Sequence, residues 1–115
     1  MLNLKKLLTK ALSIEEEMLT FSYGGKSTNI YFRSCGGVIL SILVANNTES
    51  VPLPTSWTNV GTLTNIKPSS DRYIPFISSN GLTGAFRLYS DGGVRIIAHS
   101  SSNYWFQTSA TVIYK

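Results

Sequence analysis

The chain has 115 residues, of which 43% are hydrophobic and 14% charged, and its formal net charge is +4. The length suits one domain with a short appendage, and the hydrophobic content excludes a wholly disordered chain. The basic residues are scattered along the sequence instead of forming the continuous patch that follows nucleic-acid phosphates. We therefore expect no nucleic-acid partner, and attraction to an anionic polymer is the more plausible use of the charge.

Residues 1–18 carry the one helical pattern of the chain. Hydrophobic residues recur there at alternating spacings of three and four, as in a heptad seam: Leu4, Leu7, Ala11, Ile14 and Met18. An isolated helix of this length is marginal in water, so it must pack on its own domain or on copies of itself. The regular seam favours self-association, although Ser13–Glu16 matches a capping box and indicates a possible break.

From residue 19 the hydrophobic period changes to two, which is typical of strands. Clusters of Gly, Pro, Asn, Asp and Ser separate the predicted strands, which are 20–23, 29–33, 38–45, 57–63, 73–78, 83–89, 94–99 and 104–114, the last with a bend near Ser109. The continuous apolar segment 38–45 predicts a central strand buried on both faces. The fold class is therefore mostly β: an antiparallel β-sandwich or jelly roll over residues 19–115, preceded by a short helix.

The sequence contains no complete motif for nucleotide or metal binding. Gly25-Lys26-Ser27 ends like a phosphate-binding loop, but the required earlier glycine is Thr20 and a strand follows, so a hairpin turn is predicted. The single cysteine, Cys35, and the single histidine, His99, cannot supply a zinc site. We expect no cofactor and no metal.

Catalytic groups are also scarce. Outside the predicted helix the only carboxylates are Glu49, Asp71 and Asp91, and the last two lie in turn sequences where Asp usually shapes the backbone. No serine or cysteine sits in a recognisable nucleophile motif. The sequence therefore predicts a protein that is not an enzyme.

Aromatic residues near the predicted turns are the best candidates for binding. Aromatic rings stack on the apolar faces of sugars while polar neighbours bind the hydroxyl groups. One stretch, on or beside two successive turns, offers a suitable set: Arg87, Tyr89, Asp91, His99, Asn103 and Tyr104. The alternative is that many of these rings face the core, as half of the residues in any strand must.

The order of turn and strand motifs in the second half of the chain carries a resemblance. Its parts are Val60–Leu63, Pro68-Ser69, Tyr73–Pro75, Asp91-Gly92 and a closing aromatic strand at Trp105–Tyr114. This order resembles the distal, receptor-binding domain of bacteriophage and prophage tail-fibre and baseplate proteins of Gram-positive bacteria. One departure is Leu63-Thr64-Asn65, where a Leu-Pro step is usual.

The resemblance implies both an assembly and a role. Such proteins are typically homotrimers in the virion tail, made in the host cytoplasm, that bind a host cell-surface saccharide and other tail or baseplate proteins. A purely structural tail or baseplate subunit is the alternative. No apolar segment of the sequence approaches membrane-spanning length, so we expect no membrane insertion.

Overall fold

The computed structural model describes residues 14–44, 51–78, 81, 83–99, 103–104 and 108–113, and within them the chain forms strands but no helix. Consequently no helix in this part is long and apolar enough to cross a membrane. The strands are β1 (Ile14–Tyr23), β2 (Lys26–Cys35), β3 (Ile39–Val44), β4 (Val51–Pro52), β5 (Thr58–Thr62), β6 (Arg72–Ile77), β7 (Thr83–Leu88), β8 (Gly93–Ala98), β9 (Asn103–Tyr104) and β10 (Thr108–Ile113).

Two antiparallel four-stranded sheets make up most of the structure. The first sheet has the order β1-β2-β3-β10 and the second has the order β5-β8-β7-β6, while β4 and β9 form a separate two-stranded pair. The edge strands of the two sheets approach each other, β1 against β5 and β10 against β6. At the second edge the Thr108 hydroxyl donates a hydrogen bond to the Ile77 carbonyl at 2.8 Å. The prediction of a mostly β protein is confirmed.

A single hydrophobic core lies between the two sheets. Both sheets contribute fully buried side chains to it, among them Phe32, Ile30, Leu40 and Ile42 from the first sheet and Phe86, Leu88 and Ile96 from the second. The Phe76 and Phe86 rings meet with centroids 5.0 Å apart. Along each strand the buried residues alternate with residues that face solvent, because successive side chains of a strand point to opposite faces.

Tight turns fix the strand register. Gly24 and Gly25 both have positive φ and join β1 to β2, whose register begins at Tyr23 opposite Lys26. This geometry is the two-residue hairpin loop that favours glycine at both central positions. The prediction of a hairpin turn instead of a phosphate-binding loop is confirmed: the turn lies at Gly24-Gly25, and Lys26 and Ser27 belong to β2.

The helix predicted over residues 1–18 is wrong at its end, because Ile14–Met18 belongs to β1. Ile14 and Met18 lie on the outer side of that strand and are exposed, so they do not continue a helical seam. The reason is tertiary: the ten residues of β1 pair with ten of β2, and this ladder outweighs a weak local helix preference. Residues 1–13, with Leu4, Leu7 and Ala11, lie outside the described residues.

Two strand predictions also need correction. The segment predicted to be buried on both faces forms β3, but Ile39 and Leu43 on its outer face are exposed, 42% and 49% respectively. The first sheet covers the core with one face only, and no element among the described residues packs on its outer face. The predicted strand 104–114 is divided between β9, which pairs with β4, and β10, which pairs with β3.

A carboxylate on the inner side of β1 ties the two sheets together. Glu17 accepts hydrogen bonds from the backbone N–H groups of Thr64, Asn65 and Ile66 at 2.7, 3.0 and 2.7 Å, and from the Thr64 hydroxyl at 2.7 Å. Partial burial raises the pKa of Glu17, but these bonds outweigh it, so the net pKa is lowered. The contact anchors the loop after β5 to the edge of the first sheet.

We predict that Glu17→Gln lowers the free energy of unfolding by about 1–3 kcal/mol, because the replacement weakens several charge-assisted bonds. Since the folded pKa is lowered, the contribution is present above the ordinary carboxyl pKa of 4.5 and is lost as the pH falls through the folded value. Denaturant unfolding should therefore show the free energies of unfolding of the unmodified protein and of Glu17→Gln becoming equal as the pH is lowered from 7 to 3. Glu16→Gln is the matched control, since its ion pair with Arg33 is exposed; an equal effect of both variants would contradict the prediction.

We predict that Gly92→Ala destabilises the domain more than Gly25→Ala does. Both glycines have positive φ, so both substitutions strain the backbone, by about 1 kcal/mol. A Cβ on Gly25 meets open space, whereas one on Gly92 overlaps the backbone carbonyl of Leu63. The difference in melting temperature between the two variants measures that overlap, and equal melting temperatures would show that the loop moves aside freely.

Candidate functional site

The outer face of the second sheet carries a row of polar and aromatic residues across all four strands. In the antiparallel register Asn59 lies opposite Arg95, Arg95 opposite Arg87, and Arg87 opposite Tyr73. These four side chains alternate with core residues and are exposed to solvent. The sheet therefore holds them at fixed spacings on one surface.

Aromatic rings flank this row and lie within cation–π distance of its arginines. The Arg87 guanidinium lies 5.8 Å from the centre of the Trp57 ring and 5.7 Å from that of Tyr89. The Arg95 guanidinium lies 5.4 Å from the Tyr89 ring, and Trp57 meets Tyr73 edge to face at 6.0 Å. We call this surface the aromatic–arginine face; its members are Trp57, Asn59, Tyr73, Arg87, Tyr89 and Arg95.

Exposed rings on this face are not core residues. Tyr73 is 57% exposed, and Trp57 and Tyr89 are half-buried. The buried aromatic residues of the same sheet, Phe76 and Phe86, point to the opposite side. The buried and the solvent-accessible aromatic residues therefore lie on opposite faces of this sheet, and the accessible rings are free to contact a ligand.

A rigid turn borders the aromatic–arginine face. Between β7 and β8, Gly92 donates to the Tyr89 carbonyl at 2.9 Å and Tyr89 donates to the Gly93 carbonyl at 2.8 Å. The Asp91 carboxylate accepts from the Gly93 N–H at 2.9 Å. The Asp71 carboxylate accepts from the Ser90 N–H at 3.1 Å, so both acids brace the turn. Asp91 therefore stabilises the turn through its side chain, as in an Asx-turn, and the residue remains exposed.

The predicted binding residues divide into three groups. Arg87, Tyr89 and Asp91 lie together at the aromatic–arginine face and its turn. His99 is exposed just after the other end of β8, about 13 Å along the strand from Arg95 by strand geometry, and its Nδ1 shares a 2.8 Å hydrogen bond with the Thr83 hydroxyl. Asn103 and Tyr104 form β9 beside β4.

The binding residues predicted from the sequence did not include Arg95, Trp57 or Tyr73. The sequence does indicate the position of Arg95. The turn predicted at Asp91-Gly92 makes a hairpin, and residues at equal distances from a hairpin turn, such as Arg87 and Arg95, lie opposite each other. Tyr73 lies in β6 and Trp57 immediately precedes β5, so both lie outside that hairpin. Only the order of strands in the sheet brings them to the same surface.

Two further concave surfaces lie elsewhere on the described residues. One, of about 520 Å³, covers the outer face of the first sheet and includes Glu16, Met18, Tyr31 and Leu43. The other, of about 600 Å³, follows the junction of β6 with β10 and is lined mainly by apolar residues, with His99 at its border. Neither combines stacked rings with unpaired cations as the aromatic–arginine face does.

Cys35 ends β2 in the first sheet, whereas His99 follows β8 in the second sheet. No group of three or more His, Cys, Asp or Glu residues in this part of the chain could hold a metal ion.

Comparison with known proteins gives no relative: no family model matches the chain, and no curated protein matches its sequence.

Proposed function

We propose that the chain is a saccharide-binding module whose site is the aromatic–arginine face. The observation that carries the proposal is the pair of accessible rings, Trp57 and Tyr73, set edge to face beside polar side chains on a rigid sheet. Sugar rings present apolar C–H faces that stack on such rings, and hydroxyl groups that accept from arginine and exchange hydrogen bonds with asparagine. A ligand lying across the strands would meet Asn59, Arg95, Arg87 and Tyr73 in turn.

The biological setting of this proposal rests on the resemblance of the chain to phage and prophage tail-fibre and baseplate proteins. On that basis we place the module in a virion tail, where it attaches the particle to a saccharide of the bacterial surface. The homotrimer and the jelly-roll topology belong to the same proposal. Three copies would raise the avidity of individually weak sites through effective concentration.

We predict that Trp57→Ala and Tyr73→Ala each weaken binding to a wall polysaccharide of the host about three- to tenfold, since each removes a stacking ring. Both side chains lie outside the core, so the melting temperature should fall little. Tyr31→Ala is the matched control, because Tyr31 is an exposed aromatic residue of the first sheet. The measurement is direct titration with purified polysaccharide, after a glycan array has identified a ligand. Unchanged affinity in both site variants would place the site elsewhere.

A structural tail or baseplate subunit is the second candidate function, and one observation favours it. Met18, Tyr31 and Leu43 lie in register across the first sheet and are 49%, 41% and 49% exposed. A continuous apolar row on an open sheet face is a surface suited to another protein. Replacement of Leu43 by Lys would weaken such an association and leave saccharide binding unchanged.

We predict a homotrimer held in part by the N-terminal segment, because the pattern of Leu4, Leu7 and Ala11 is that of an oligomerisation seam. Light scattering at micromolar concentration should give three times the chain mass. Leu7→Lys should reduce that mass without lowering the β content seen by circular dichroism. A monomer mass for the unmodified chain would contradict the assembly.

A further inference from the structure

We propose that the aromatic–arginine face binds an anionic group, so that its saccharide ligand carries carboxylate, phosphate or sulfate substituents that bind between Arg87 and Arg95. This inference rests on the proposed saccharide-binding function and specifies its ligand class. It is carried by the placement of the two arginines, which lie directly opposite each other in a row of side chains that contains no carboxylate.

Arg87 and Arg95 lie directly opposite each other in the β7–β8 ladder. Like charges at directly opposite positions of an antiparallel pair destabilise a sheet. Among the described residues neither guanidinium forms an ion pair with a carboxylate; Arg33, on the first sheet, pairs with Glu16. The neighbouring strands place Asn59 and Tyr73 in the same row, and neither of these residues is a carboxylate.

Aromatic rings lie beside both guanidinium groups, and a ring is only a weak acceptor for an N–H donor. The Arg87 guanidinium has Trp57 and Tyr89 as neighbours, and the Arg95 guanidinium has Tyr89. The N–H donors of a guanidinium form a planar fork that matches carboxylate, phosphate or sulfate oxygens far better. The ring contacts also restrict the two side chains in advance, which lowers the entropy cost of binding an anion.

The charge around the face favours a saccharide with isolated anionic groups over a single-stranded nucleic acid. The Asp91 carboxylate and the Tyr89 ring flank Gly93, since a Cβ there would be 3.1 Å from Asp91 Oδ1 and 3.6 Å from Tyr89 Cδ2. Asp71 braces the same turn. A strand with one phosphate per nucleotide would run past these carboxylates, whereas sugar hydroxyls donate hydrogen bonds to them.

The proposal is tested with polymers that differ in charge: neutral dextran, dextran with a low degree of sulfate substitution, and dextran with a low degree of carboxymethyl substitution, so that the anionic groups are isolated. Titrations at 0.15 M salt should show at least tenfold tighter binding of an anionic polymer than of dextran. Arg87→Gln and Arg95→Gln should each remove most of that difference. Arg33→Gln is the control, because it deletes the same charge from the opposite sheet and should leave the difference nearly unchanged.

Protein stability supplies a second readout. Arg87→Gln and Arg95→Gln each relieve the repulsion between two like charges, so the melting temperature should stay level or rise while binding falls. A structural role for the pair would instead lower the melting temperature. Such a drop, with binding per folded protein unchanged, would overturn the proposal.

The outcomes separate this inference from the function on which it rests. Equal binding of dextran and the anionic polymers, unaffected by either arginine variant, would reject the anion site and retain a neutral saccharide ligand. Equal losses in all three arginine variants would show attraction to net charge alone and would also reject the site. Tighter binding of an oligothymidylate than of either anionic polymer would replace the saccharide by a single-stranded nucleic acid.

Discussion

The shared core between the two sheets is the constraint on which the rest of the structure depends. Residues such as Phe32 and Phe86 are removed from water by the opposite sheet, and burial of large apolar side chains of this kind is the main driving force of folding. Because side chains alternate along a strand, each buried residue directs its neighbours to solvent. The core therefore fixes the outer faces as strictly as it fixes the interior.

The candidate site is a consequence of this alternation combined with register. Val94 and Ile96 must face the core, so Arg95 between them must face out, and the β7–β8 turn then sets it opposite Arg87. A slip of one residue would bury both charges and expose the core side chains. The hydrogen bond from the Leu63 N–H to the Gly92 carbonyl, 2.8 Å long, connects this turn to the loop that Glu17 anchors.

Charged groups of the two sheets differ in the partners that the structure gives them. The Glu17 carboxylate is fully engaged by backbone donors, and Glu16 is paired with Arg33, so these groups stabilise the edge of the first sheet. The two arginines of the second sheet face each other with aromatic rings as their neighbours. In the proposed site an anionic ligand would supply the ionic partner that these two arginines lack among the described residues, and functional sites are where proteins accept such local compromises.

Local sequence determined the β class, most of the strands and the turns, because period-two hydrophobicity and glycine at positive φ act over a few residues. It also indicated two of the six members of the aromatic–arginine face, Arg87 and Tyr89, together with Asp91 in the bordering turn, because these three residues lie close together in sequence. It failed at Ile14–Met18, where a heptad-like spacing and a strand coexist in the same residues. Pairing with β2, which begins at Lys26, decided between them.

Tertiary structure alone decided which strands became neighbours and which faces stayed open. The segment of β3 is as apolar as a strand buried on both sides, yet only one face is covered, because nothing in the described chain packs on its outer side. Trp57 and Tyr73 meet Arg87 only because β5 and β6 flank the β7–β8 hairpin. Such neighbours arise from contacts between distant segments, and their free energy depends on the assembled sheet rather than on any local pattern.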